Sequence, residues 1–164
     1  MIDRVILGFN RGLYTIHGKP QQTERPNPAV TLPEVEMDEK EQQHAAALMR
    51  VNHAGEVAAQ ALYHGQALTA RDDEVRQRLE KSAAEEGDHL AWCEERVKDL
   101  GSDTSMLGPL WYWGSFSIGA VAGLAGDKWS LGFIKETEDQ VIEHLNGHDL
   151  TSQKEISGNG EILG

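Results

Sequence analysis

The chain has a single cysteine, Cys93, in 164 residues. One thiol excludes an intrachain disulfide, a cysteine-based zinc site and an iron–sulfur cluster held by one chain, and it fits a reducing compartment. Basic residues are also short: 15 Lys and Arg stand against 27 Asp and Glu, for a net charge of −12. A chain of that sign has no electrostatic footprint for nucleic acid and no charge attraction to anionic lipid. Aromatic residues make up only 6%, and alternating β-branched runs are scarce, so strand signals are lacking and the fold class is all-α. Proline is confined, with four of the five (Pro20, Pro26, Pro28, Pro33) between His17 and Val35. The N-terminus carries Asp3 and Arg4 and lacks a long apolar core or a small-residue cleavage site, so no signal peptide is expected.

What is present suits one globular domain with a sizeable core: 39% of residues are hydrophobic and 26% charged. Residues 1–36 read as an amphipathic segment followed by the proline-rich linker. Ile2, Val5, Ile6, Phe9 and Leu13 lie at helical spacing, a stripe that can dock on the body or on a bilayer. Residues 37–148 read as the helical domain. A first helix runs from an N-cap at Asp38 to about Ala70, a second from Asp73 to Leu100, and a third from Trp129 to about Leu145. Residues 149–164, rich in Gly and Ser, read as an irregular tail.

An acid interrupts the apolar face of each of these helices. In the second, Val75, Leu79, Ser82, Ala83, Leu90, Cys93, Val97 and Leu100 form the stripe. Stepping 100° per residue puts Glu86 near its centre and His89 at its edge, while Glu85, Asp88, Glu94 and Glu95 point elsewhere. In the third, Glu138 falls within Leu131, Ile134, Val141, Ile142 and Leu145. In the first, Glu56 flanks Leu48, Val51, Gly55, Ala58, Ala59 and Leu62, with Tyr63 two turns along the same edge. A lone carboxylate taken out of water costs several kcal/mol or neutralises itself, so each needs a partner. Singly, each has an ordinary explanation: a solvated glutamate, or a hydrogen-bonded core histidine. Together, one Glu, one Glu-x-x-His and one further Glu on three inward faces point to a shared cation, and oxygen donors with imidazole favour iron or manganese.

No charge occurs between Asp103 and Asp127. Trp111, Tyr112, Trp113 and Phe116 precede a series of small residues, Gly119, Ala120, Ala122, Gly123, Ala125 and Gly126. Length alone permits a membrane span, but Pro109 and the glycines make it a poor one. Two readings stand: a core helix whose glycines let a neighbour approach closely, or an interfacial helix with Trp and Tyr at headgroup depth.

Two runs narrow the field further: Leu48-Met49-Arg50-Val51-Asn52-His53-Ala54-Gly55-Glu56 and Glu85-Glu86-Gly87-Asp88-His89-Leu90. With Ala61 to Leu68 and Thr137-Glu138-Asp139-Gln140-Val141, they resemble the di-iron demethoxyubiquinone hydroxylases of ubiquinone biosynthesis, from about residue 45 to 148. The resemblance implies a ferritin-like helical bundle, two irons per subunit and NADH as electron donor. The implied activity is O₂-dependent hydroxylation of a polyprenylated methoxy-benzoquinol. Carried over, Glu56 and Glu138 are single carboxylate ligands, Glu86 bridges the irons and His89 ligates one of them. Tyr63 and His144 fall near the oxygen- or quinone-facing side. The implied setting is the cytoplasmic side of the cell membrane, held peripherally, as part of a ubiquinone-biosynthesis complex or a homo-oligomer.

That family pattern also calls for a second Glu-x-x-His on a fourth helix. After Leu145 the chain carries Glu155 and Glu161 without a histidine at the matching offset. The expectation is therefore an incomplete bundle from a truncated or frameshifted copy, with completion by a partner chain as the alternative. A non-catalytic metal-binding or scaffold remnant is the competing function. A ferritin-like storage or peroxidase-type protein is a third, disfavoured because a soluble shell has no use for the uncharged Trp-rich segment.

Overall fold

The computed structural model describes residues 2–17, 20–23, 25–31, 36–128 and 132. Among these, regular structure consists of α1 (Ile2–Ile16), a 3-10 turn (Pro28–Thr31), α2 (Glu39–Thr69), α3 (Asp73–Asp99) and α4 (Gly108–Ala125). The class is all-α, as in the bundle expected. The expected helix from Trp129 to Leu145, with Glu138 and His144, lies outside the described residues, as does the tail.

The helix ends follow from local chemistry. Asp38 accepts from the Glu41 amide at 2.8 Å while the Glu41 carboxylate accepts from the Asp38 amide at 2.9 Å, a reciprocal cap that starts α2. Asp72 accepts from the amides of Glu74 and Val75 and starts α3. Asp127, just past α4, accepts from the amides of Arg71 and Asp72, tying that helix end to the α2–α3 turn. Pro109 in the first turn of α4 removes only a donor that no helix could satisfy.

Helix α2 is the centre of the assembly, packed against both α3 and α4. Tyr63, Ala67, Ala70, Leu79 and Ala83 form one buried cluster between α2 and α3, with Val75 against it. Val57, Ala61, Leu90 and Tyr112 form a second, joined by Ile16, Trp113 and Phe116. Two polar links run through this interior. Gln60 accepts from the Thr15 hydroxyl at 2.6 Å and donates to the Ala83 carbonyl at 2.8 Å, joining α1, α2 and α3. His64 Nδ1 shares a 2.8 Å hydrogen bond with the Tyr112 hydroxyl, and burial holds its pKa near 3, so the ring is neutral.

Glycine sets the α2–α4 spacing. A Cβ at Gly119 would lie 2.2 Å from the Leu62 carbonyl oxygen, and one at Gly65 would lie 2.1 Å from that of Phe116. The first reading of the uncharged stretch therefore holds for one face of α4. Its other face leaves Leu110, Trp111, Ile118, Val121 and Leu124 exposed.

One of two readings is set aside and two sequence expectations are corrected. Of the two readings of the α1 stripe, docking on the body does not hold for most of it: Ile2, Val5, Ile6 and Phe9 are more than half exposed, while Gly8, Gly12 and Thr15 are buried. The glycine face allows contact that a bulky stripe would hold off, since a Cβ at Gly12 would stand 2.7 Å from the Tyr112 ring. On α2, Leu48, Val51 and Gly55 are exposed, because burial concentrates downstream between Val57 and Ala67. On α3, Asp88 does not face water but is 1% exposed, held by contacts described below.

Replacing Gly119 with Ala is expected to destabilise the chain by about 2 kcal/mol, lowering Tm by roughly 4–8 °C, because backbone rather than a flexible side chain stands in the way. Gly114→Ala, where a Cβ meets nothing within 4 Å, is expected to be neutral or slightly stabilising. Thermal melts of the two variants side by side check this, and equal Tm values would refute the glycine contact.

Candidate metal centre

Glu56 comes from α2, and Glu86 and His89 from one turn of α3. The i, i+3 spacing stacks the α3 pair on one face, and the α2–α3 packing brings Glu56 across to it. The three donor atoms lie within 4.8 Å of one another. His89 Nδ1 is 3.0 Å from Glu86 Oε2 and 3.8 Å from Glu56 Oε2. All three side chains are partly buried, Glu86 most deeply at 18% exposure.

Two carboxylates this close repel, and the electrostatics record it. Burial, the hydrogen bond that the protonated Glu56 carboxyl donates to Glu86 and the Glu86 charge push Glu56 up to about 8. A cation between them reverses that penalty, and two oxygen donors with one imidazole fit iron or manganese. The neighbouring Cys93 does not compete, since burial raises its thiol to about 11 and keeps it protonated.

Outside this triad lies a set of residues that helical periodicity did not single out. Asp88 Oδ1 accepts from the Thr23 amide at 2.9 Å, its Oδ2 from the Thr23 hydroxyl, and Arg25 Nε lies 3.3 Å away. Arg25 Nη2 reaches His89 Nε2 at 3.2 Å, and its guanidinium carbon sits 5.6 Å from the Trp92 ring centroid. The one available signal was Gly87, a poor helix former set inside the ligand-bearing turn, which often marks a close backbone approach.

Of the six residues expected at the site, three converge. Tyr63 is buried in the cluster with Leu79 and Ala83. Glu138 and His144 lie outside the described residues.

An all-α bundle in which two neighbouring helices present carboxylates and an imidazole to one small volume has the donor arrangement of the carboxylate–histidine bundles that bind metal. The chain belongs to the family of ubiquinone biosynthesis protein COQ7, whose model matches residues 36–158. It is 58% identical over 147 residues to the 3-demethoxyubiquinol 3-hydroxylase of Nitrosococcus oceani, covering 90% of this chain and 69% of that protein. The same-named proteins of Nitrosospira multiformis and Xanthomonas campestris pv. campestris are 57% and 54% identical, again over 90% of this chain and over 70% and 67% of theirs. No solved structure matches the chain.

The raised Glu56 pKa predicts a pH dependence. An acid that holds its proton more tightly when folded contributes stability below the ordinary carboxylate range, and that stability is lost as pH rises toward 8. Metal-free protein is therefore expected to melt at a lower temperature at pH 8 than at pH 5. Glu56→Gln should flatten that difference, and saturating Mn²⁺ should reverse it. Identical slopes for wild type and variant in calorimetric scans would show that the two carboxylates are not coupled.

Proposed function

We propose that this chain is a 3-demethoxyubiquinol hydroxylase that uses a pair of irons and O₂ to hydroxylate the ring of a polyprenylated methoxy-benzoquinol, with NADH as the electron donor. The convergence of Glu56, Glu86 and His89 carries the reading, supported by the name shared by its family relatives. In this reading Glu56 and Glu138 would serve as single carboxylate ligands, and Glu86 and His89 would hold metal from the α3 turn. When bound, the iron pair supplies electrons for reductive cleavage of O₂.

The chain's own residues define the surroundings. Glu56 and Glu86 offset the metal charge, and their oxygens accommodate changes in that charge because carboxylates bind through one oxygen or two. His89 fixes one position through Nδ1, the nitrogen that faces the carboxylates. Trp92, 5.2 Å from the His89 ring, shields the imidazole on its outer side. Tyr63 and His144 are proposed to lie toward the quinol.

The substrate's polyprenyl tail calls for an apolar surface, and peripheral attachment to the cytoplasmic side of the cell membrane is part of the proposal. Among the described residues, no helix is long and apolar enough to cross a membrane. Exposed Ile2, Val5, Ile6 and Phe9 on α1, with Trp111, Ile118, Val121 and Leu124 on α4, suit shallow insertion instead. Phe9 stacks on Trp113 at 5.3 Å and joins the two helices. Assembly with other proteins of ubiquinone biosynthesis, or with further copies of the chain, belongs to the same proposal.

Iron-loaded protein given NADH and a short-chain demethoxyubiquinol analogue is expected to add one oxygen atom from ¹⁸O₂ to the ring, read by mass spectrometry. Glu86→Ala should lose at least about 100-fold in rate. Product labelled from water instead of O₂ would refute the reaction class. Separately, flotation with neutral liposomes is expected to survive high salt, since apolar insertion is not screened while charge attraction is. Release by salt would refute the apolar mode of attachment.

A further inference from the structure

The proline-rich segment was expected to be a linker, yet its middle is fastened to the turn of α3 that carries two of the metal donors. Its backbone crosses α3 at Gly87, where a Cβ would lie 1.8 Å from the Gln21 carbonyl oxygen. One residue on, Asp88 takes both the amide and the hydroxyl of Thr23, and the Arg25 guanidinium. Beyond that, Arg25 covers Trp92 and touches the outer nitrogen of His89. The crossing thus falls between Glu86 and His89, at a helix position that only glycine leaves open.

We propose that Gln21, Thr23 and Arg25 form a strap, buckled on Asp88, that positions the Glu86–His89 turn for metal, with Gly87, Asp88 and Thr23 as positioning residues. The inference rests on the metal reading of the site. Arg25 carries donors only, so it meets an acceptor at His89 Nε2, while Asp88 and Trp92 hold it independently of that ring. The strap is thus coupled to the metal donors through the α3 turn. Coupling of this kind is reciprocal: if the strap raises metal affinity, metal must tighten the strap.

Gly87→Ala tests this without removing a donor, because Ala favours helix and the atom nearest the added methyl is the strap's Gln21 carbonyl oxygen, with the hydrogen-bonded Gln60 amide next. The probe is Co²⁺, titrated into the full chain and followed by its visible absorbance, with hydrogen exchange at the Thr23 amide as second readout. Wild type is expected to bind Co²⁺ and to slow Thr23 exchange by about 10-fold on binding. Gly87→Ala should weaken Co²⁺ affinity by about 10-fold, the range for groups supporting metal ligands, and free the Thr23 amide with or without metal. Thr23→Ala, which removes only the hydroxyl bond, should shift both readouts the same way by a smaller factor and serves if Gly87→Ala does not fold. Glu86→Ala should abolish binding yet keep the metal-free level of Thr23 protection. Wild-type Co²⁺ affinity in Gly87→Ala, or Thr23 exchange that ignores metal, overturns the strap and leaves the metal site standing. Failure of wild type to bind Co²⁺, or undiminished binding by Glu86→Ala, overturns the metal reading and the strap's role with it.

Discussion

Two carboxylates and an imidazole within 4.8 Å, half out of water, form an arrangement that opposes folding unless something offsets it. The Glu56 carboxyl, pushed to about 8, is the local expression of that opposition. Much of the remaining structure acts to hold the donors there. Two side-chain-capped helices fix the axial positions of Glu56 and Glu86. Apolar clusters clamp α2 to α3, and Gln60 bonds to the α3 backbone at Ala83. A metal between the carboxylates would turn this unfavourable approach into an attractive one.

Much of this was legible in the sequence because helices advertise themselves by period. The capped start at Asp38, the break at Arg71–Asp72 and the span of α3 all follow from residues that act on their own backbone. Glu86 and His89 were legible because an acid on an apolar face is costly and a spacing of three stacks side chains. Asp88 was not, since periodicity weighs one helix against water and does not count a second segment lying across it. The strap that buries Asp88 comes from 63 to 65 positions away, and only the glycine beside it hinted at an approach.

The α1 stripe left body and bilayer open for a related reason. Amphipathicity says that a helix has an apolar side; it does not say that this side faces the protein. Where the opposite face is lined by Gly8 and Gly12, the backbone can come against the Tyr112 and Trp113 rings. Contact between a close-set backbone and aromatic rings gains dispersion over many atoms without burying large aliphatic side chains. Docking is then satisfied by small residues, and the bulky ones remain outside.

The same economy governs α4, and the two helices have a joint consequence. A helix that packs through Gly119 and Gly123 gives the core its backbone and leaves its large side chains for another surface. The exceptions are Tyr112, fully buried and tied to neutral His64, and Trp113 and Phe116, packed against the same cluster. Leu110, Trp111, Ile118, Val121 and Leu124 contribute little to the described core, so stability alone does not account for them. Exposed side chains of this size carry a solubility cost, and a chain with 27 acidic residues that wanted only solubility would place charge there. The stretch between Asp103 and Asp127 holds none. An apolar environment outside the protein would make glycine inside and large aliphatic groups outside a consistent solution, and the membrane attachment proposed above for a polyprenylated substrate would supply one.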